Sequence, residues 1–152
     1  MSGIKIATVA DSISKLSVAG VKIKDIDTIP EEVTQRICPV MFPSPEGFVT
    51  GLRVEPKSYG AGTSGKNDVK YTLNYVFLYQ PVGSDRYVTK NIAKLVDKTV
   101  LILNALIAND AVIGSVDIEP RIDGEFGKLA DQVGNEFFGA LIAIDVCEFY
   151  EV

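Results

Sequence analysis

The chain has 152 residues, 47% of them hydrophobic and 23% charged, with a formal net charge of −5 and no histidine. That is the size and balance of one globular domain able to bury its own core without a disulfide or a metal staple. An acidic chain is a poor general binder of nucleic acid, and a chain without histidine has no Ser-His-Asp or Cys-His catalysis and lacks the commonest metal ligand.

The N-terminal stretch "MSGIKIATVADSISK" has neither a basic n-region nor an apolar h-region, so a cytosolically made, soluble protein is expected. Over residues 4–18, Ile6, Val9, Ala10, Ile13 and Leu16 fall on one stripe, which predicts a helix stopped near Gly20. Residues 21–36 read as a loop or short strand, followed by a helical turn opened by Pro30 with Glu31 and Glu32 behind it. "ICPVMFP" at 37–43 reads as a short apolar strand. "FVTGLRVE" at 48–55 reads as a half-buried strand, with Phe48, Thr50, Leu52 and Val54 on one side.

The loop "YGAGTSGKND" at 59–68 comes close to the phosphate-binding pattern G-x-x-x-x-G-K-S/T, through Gly60, Gly65 and Lys66. Asn67 stands where the magnesium-binding hydroxyl belongs, and the residues that follow have strand rather than helix composition. A phosphate loop needs the N-terminus of a helix behind it. The expected reading is therefore a long, glycine-rich, mobile hairpin connection that gains order against a partner.

"VKYTLNYVFLY" at 69–79 is apolar on both faces and is placed centrally in a sheet. Its Tyr71, Tyr75 and Tyr79, with Leu73 and Phe77, share one face. Core packing is the first reading for them and a subunit interface the second. Residues 88–109 form the strongest helix. Ile92, Leu95, Val96, Leu103, Leu106 and Ile107, with Val100, Leu101 and Ile102 added, make it apolar enough to pack on a sheet and on a neighbour as well. Its most apolar part, 100–108, is too short to span a bilayer.

Residues 115–126 alternate, with Val116, Ile118 and Ile122 on one side and Asp117, Glu119, Arg121 and Asp123 on the other. With Glu125, these acids lie along a strand face and lack the loop pattern of a calcium hand. Residues 127–136 read as a polar, mobile loop, and 137–152 as a long closing strand. Cys38 and Cys147 lie in apolar sequence and read as buried free thiols. Charge is uneven. From Asp117 to the end, nine acids against two bases give −7, which leaves +2 of the total −5 for the residues before it. Complementary halves favour head-to-tail contacts between identical subunits.

The fold expected is α+β: a mostly antiparallel sheet with two main helices packed on one face and a long β-hairpin loop, in a single domain spanning 1–152. Three stretches, "CPVMFPSPEG", "YTLNYVFLYQPVG" and "FFGALIAIDVCEFYEV", carry a resemblance in pattern and order over nearly the whole chain. In these the chain resembles the tail terminator (tail-completion) proteins of long-tailed bacteriophages.

The resemblance implies a non-enzymatic structural virion protein, made in the host cytoplasm and ending up in the neck of the tail, with no catalytic residue, cofactor or metal. It implies a homohexameric ring that sits on the last ring of the tail tube protein and stops tube polymerisation. The ring then offers a surface to the head-tail connector or head completion protein. No membrane is involved, and DNA enters only as cargo passing through the lumen. Interface roles follow for two groups of residues. Lys57, Tyr59, Lys66, Asp68 and Lys70, around the glycine-rich loop, would face the tube or the lumen. Arg86, Asp117, Glu119, Arg121 and Asp123 would serve subunit or ring-to-ring contacts. The rival readings are another neck or tail protein (a head-tail joining protein or a tube subunit), a small-ligand-binding α+β domain, and an enzyme using carboxylates such as Asp123 and Glu125.

Overall fold

A computed structural model describes residues 4–18, 20–30, 33, 37–56, 66–82, 88–109 and 116–151. The described elements are helix α1 (Ile6–Ser14), strand β1 (Lys22–Ile23), a 3-10 turn (Ile26–Thr28), β2 (Val40–Pro43), β3 (Val49–Pro56), β4 (Lys66–Pro81), helix α2 (Val88–Ala108), β5 (Asp117–Ile122), β6 (Gly127–Ala130) and β7 (Glu136–Glu151). The class is α+β, as expected from sequence, with one mixed and mostly antiparallel sheet.

The sheet is built around β4 and β7, two 16-residue strands paired antiparallel along almost their whole length, from Lys66 opposite Glu151 to Pro81 opposite Phe137. Each is too long to be matched by a single neighbour. β2 and β3 share the outer edge of β4, and β5 and β6 share the outer edge of β7. β1 adds to β2 in parallel. β4 is central as expected, with its backbone paired on both edges, but it is apolar on both faces only toward Val76 and Leu78; nearer its start Lys70 and Thr72 make one face polar.

Alternation along β4 sends Val69, Tyr71, Leu73, Tyr75 and Phe77 to one face, where they form the main core with Val9 and Ile13 of α1 and Leu95, Ile102 and Leu106 of α2. Core packing is thus the outcome for Tyr71 and Tyr75, while Tyr79 is half-buried at the margin. Both helices lie on this one face. Among the described residues, the opposite face is covered at one end only. There Val33, Val40, Phe42, Leu78 and Phe137 form a smaller cluster with Ile29, Ile37 and Leu129.

Several local expectations need correction. Helix α1 ends at Ser14, not near residue 18, because the chain turns into a bridge between Val18 and Val21 around Gly20, whose φ is 75°. The turn expected from Pro30 onward falls mostly outside the described residues, and a 3-10 turn at Ile26–Thr28 lies ahead of it. This 3-10 turn is closed by a capping box in which Asp25 accepts from the Ile26 N–H at 2.7 Å and Thr28 Oγ1 accepts from the Asp25 N–H at 3.0 Å. Glu31 and Glu32 lie outside the described residues.

Residues 127–136 are not a loop throughout. Gly127–Ala130 pairs with β7, and the turn that follows is held by Asp131. Its carboxylate accepts from the backbone N–H groups of Val133 at 3.1 Å, Asn135 at 2.8 Å and, across the sheet, Val33 at 3.0 Å. Polar composition misled here, because an aspartate that folds back on its own backbone makes a tight turn. The glycine-rich connection is also shorter than read. Lys66, Asn67 and Asp68 belong to β4, where pairing on both sides overrides their poor strand preference. Residues 57–65 of that loop lie outside the described residues.

Neither cysteine is fully buried. Cys38 is half-buried beside the smaller cluster, and burial pushes its thiol up to about 11. Cys147 is half-buried on the helix-free face, where the register sets it between Lys70 and Asp117. Alternation of an apolar strand carried it outward, a consequence its neighbours in sequence concealed.

Candidate functional site

The sheet's uncovered face is polar because the strands that form it alternate. β4 contributes Lys70 and Thr72, β7 Asp145, β3 Arg53 and Glu55, and β5 Asp117, Glu119 and Arg121. These side chains engage one another in two groups. Glu55 accepts from Lys70 Nζ at 2.9 Å and from Arg53 Nε at 3.0 Å. Asp145 accepts from Thr72 Oγ1 at 2.7 Å and from Arg121 Nε at 3.0 Å, and Arg121 also reaches Asp123 at 3.6 Å. Between the groups runs an open groove of about 430 Å³ lined by Arg53, Lys70, Thr72, Asp117, Glu119 and Asp145. Among the described residues, no three acids or cysteines gather closely enough to hold a metal ion.

Electrostatics follows the contacts. The hydrogen bonds from Lys70 and then Arg53 hold Glu55 below the usual carboxylate range. Burial alone would raise Asp145, but hydrogen bonds from Arg121 and Thr72 outweigh it and bring the group down. Asp131 is lowered in the same way, its burial offset by the backbone N–H groups it accepts from.

A carboxylate depressed in the folded state binds fewer protons there than in the unfolded chain. Its contribution is complete above the unfolded value of about 4 and is lost as pH falls through the folded value. We therefore expect the urea midpoint to fall steeply below about pH 4, and the Asp145→Asn variant to show a shallower acid limb. Parallel acid limbs for the two proteins would show that Asp145 makes no such contribution.

Of the residues singled out from sequence, Lys70, Asp117 and Glu119 line the groove, and Arg121 sits beside it on Asp145. Asp123 follows β5 and donates its N–H to Leu141. Asp68 lies half-buried in β4, and Lys66 opens that strand. Lys57, Tyr59 and Arg86 lie outside the described residues.

Exposed apolar residues gather in pairs or more on β3 and on α2, with Ile4, Ile26, Val133 and Leu141 exposed elsewhere, and β3 contradicts its reading. Leu52 and Val54 of β3, expected on the buried side of a half-buried strand, are 54% and 56% exposed. β3 lies at the sheet edge and carries a bulge. Gly51 and Leu52 together oppose the single residue Tyr71, with Gly51 at φ 65°. An isolated glycine within a strand pattern was the available signal. On α2, Val100, Leu101 and Ile107 are 44%, 47% and 56% exposed. The sheet takes only the flank of α2 that carries Leu95, Ile102 and Leu106.

No protein-family model matches the chain, and no curated protein is significantly similar to it in sequence. Function therefore rests on these surfaces. Among the described residues no helix is long and apolar enough to cross a membrane.

Proposed function

We propose that this chain is a ring-forming structural subunit of a long-tailed bacteriophage, placed at the head-proximal end of the tail tube. There it ends tube polymerisation and offers a surface for head joining. One observation carries the reading: the sheet presents two separate exposed apolar surfaces at its opposite edges, Leu52 and Val54 at β3 and the outer flank of α2 above β5.

Unlike surfaces that fit one another generate head-to-tail contacts, and these close into rings when the rotation permits. The order of elements supports the same reading, as does the face of interleaved charge on which no described helix packs, suited to a water-filled lumen through which DNA passes. Binding the tube end and blocking the next subunit requires geometry and affinity, without bond chemistry.

The test is to co-express the chain with the tube subunit encoded in the same genome and to image the products. Tubes with extra density at one end and a narrowed length distribution are expected. Tubes of unchanged length with bare ends would overturn the proposal.

A further inference from the structure

We propose that the ring contact is one specific docking: the β3 edge of one copy seats beside β5 of the next, with Leu52 and Val54 packed on the flank of α2 that carries Val100 and Ile107. This rests on the ring reading only for the number of copies. The contact itself belongs to the free chain.

The first support is that both apolar pairs lie on the same side of the sheet. Val54 pairs with Val69, and Leu52 shares the bulge opposite Tyr71. Val69 and Tyr71 both point into the core beneath the helices. Leu52 and Val54 therefore project on the helix-bearing side, beyond the helices' cover.

The second support is where α2 points. α2 packs over β5 and β7, at the sheet edge opposite β3. The side chain of Lys98 lies against Gly20, just before β1, so that flank of α2 looks toward the β1 side. The far flank, with Val100 and Ile107, looks toward the β5 side. Setting β3 of a second copy beside β5 brings the two exposed pairs together in one step.

Charge on the other face allows a match. β3 presents the exposed Arg53 there beside its own partner Glu55, and β5 presents the exposed Asp117 and Glu119, with Arg121 turned to Asp145 of its own sheet. Strand direction agrees as well. β3, β4, β7 and β5 alternate in direction, so repeating the unit without inverting it sets β5 antiparallel to the next β3.

Side chains rather than a continuous ladder dominate the contact. The Asp123 N–H donates inward to Leu141, so by alternation the nitrogen of Pro120 faces outward and removes a donor from the middle of that edge.

The test uses two double variants at exposed positions, Leu52→Asp with Val54→Asp, and Val100→Asp with Ile107→Asp, each checked for folding by circular dichroism. Light scattering and native mass spectrometry should find wild type as a multi-subunit species and each variant as a monomer. Association in each should be weakened by roughly a hundredfold or more. The decisive sample is their equimolar mixture. Each variant keeps one intact surface, so the mixture should form a heterodimer with one copy of each, and nothing larger.

Arg53→Glu should also dissociate the assembly, and adding Asp117→Arg and Glu119→Arg in the same chain should restore it. That pair carries the test if the aspartate variants fail to fold. A monomeric wild type, variants that assemble normally, or a mixture that stays monomeric would overturn the docking. A ring that assembles through these surfaces but leaves tubes uncapped would sink the tail reading alone.

Discussion

Replacing Glu148 with alanine is expected to lower the unfolding free energy by about 3 kcal/mol, among the largest effects of any single truncation. Glu148 is only 2% exposed. Its two carboxyl oxygens accept from the Lys5 N–H at 3.0 and 3.1 Å, and Oε2 also accepts from the Tyr71 hydroxyl at 2.7 Å. Lys5 is the N-cap of α1, so an acidic group stands where the unpaired N–H groups and the positive end of the helix dipole meet.

Alanine removes the acceptor and leaves two donors, each costing about 1–3 kcal/mol if unsatisfied. Burial, and then the bond to Glu148, raise the pKa of the Tyr71 hydroxyl, which keeps it a donor at any ordinary pH. Tyr71→Phe alone should cost less, about 1 kcal/mol, because it deletes the donor along with its need for a partner. The double variant should fall short of the sum of the two singles, since each removes the same bond. Urea denaturation measures all three, and proteolysis after α1 should accelerate in the Glu148 variant. A loss under 1 kcal/mol with additive singles would mean that this carboxyl group does not anchor the helix.

Gly139→Ala should be comparably severe, at about 2–3 kcal/mol or more. A Cβ at this position would run into the carbonyl oxygen of Phe77 and would press on Leu78 and Leu129, each 3.1 Å away. The obstacle is backbone of the central strand, which lies at a bulge where β4 passes from Leu78 opposite Gly139 to Gln80 opposite Phe138. Side chains can turn aside, but a strand paired on both edges cannot. Gly127→Ala is the control. It sits in a strand with open space around it, so its effect should stay within about 0.5 kcal/mol. Equal denaturation midpoints for the two alanine variants would rule out the close approach.

The long central strands, the strong helix α2 and the acid-bearing β5 were legible from period and composition alone. Each is long enough, or alternates cleanly enough, for one pattern to prevail. Short or edge elements were not. β6 was hidden within a polar stretch because its turn is specified by Asp131 through hydrogen bonds, not by apolar content. β3 was read with a buried side because alternation says which residues share a face and not whether anything covers that face.

Glu148 was counted from sequence as one more acid in an acidic tail. Nothing local marks it, since its partners lie 143 and 77 residues away. The groove residues were named in part, through Lys70, Asp117 and Glu119. Asp145 and Arg53 were missed, because they join those residues only when four strands are laid side by side.

By itself, then, the sequence determined the class of fold, the existence of the two long strands β4 and β7 and the polar stripe of β5, all of which follow from the repeat of apolar residues against one axis. Tertiary structure decided which apolar residues stay in water and which acid goes inside. Those outcomes depend on what lies across the sheet: among the described residues Val100 and Ile107 of α2 and Leu52 and Val54 of β3 stay about half exposed, and Glu148 has the N-terminus of a helix to receive it.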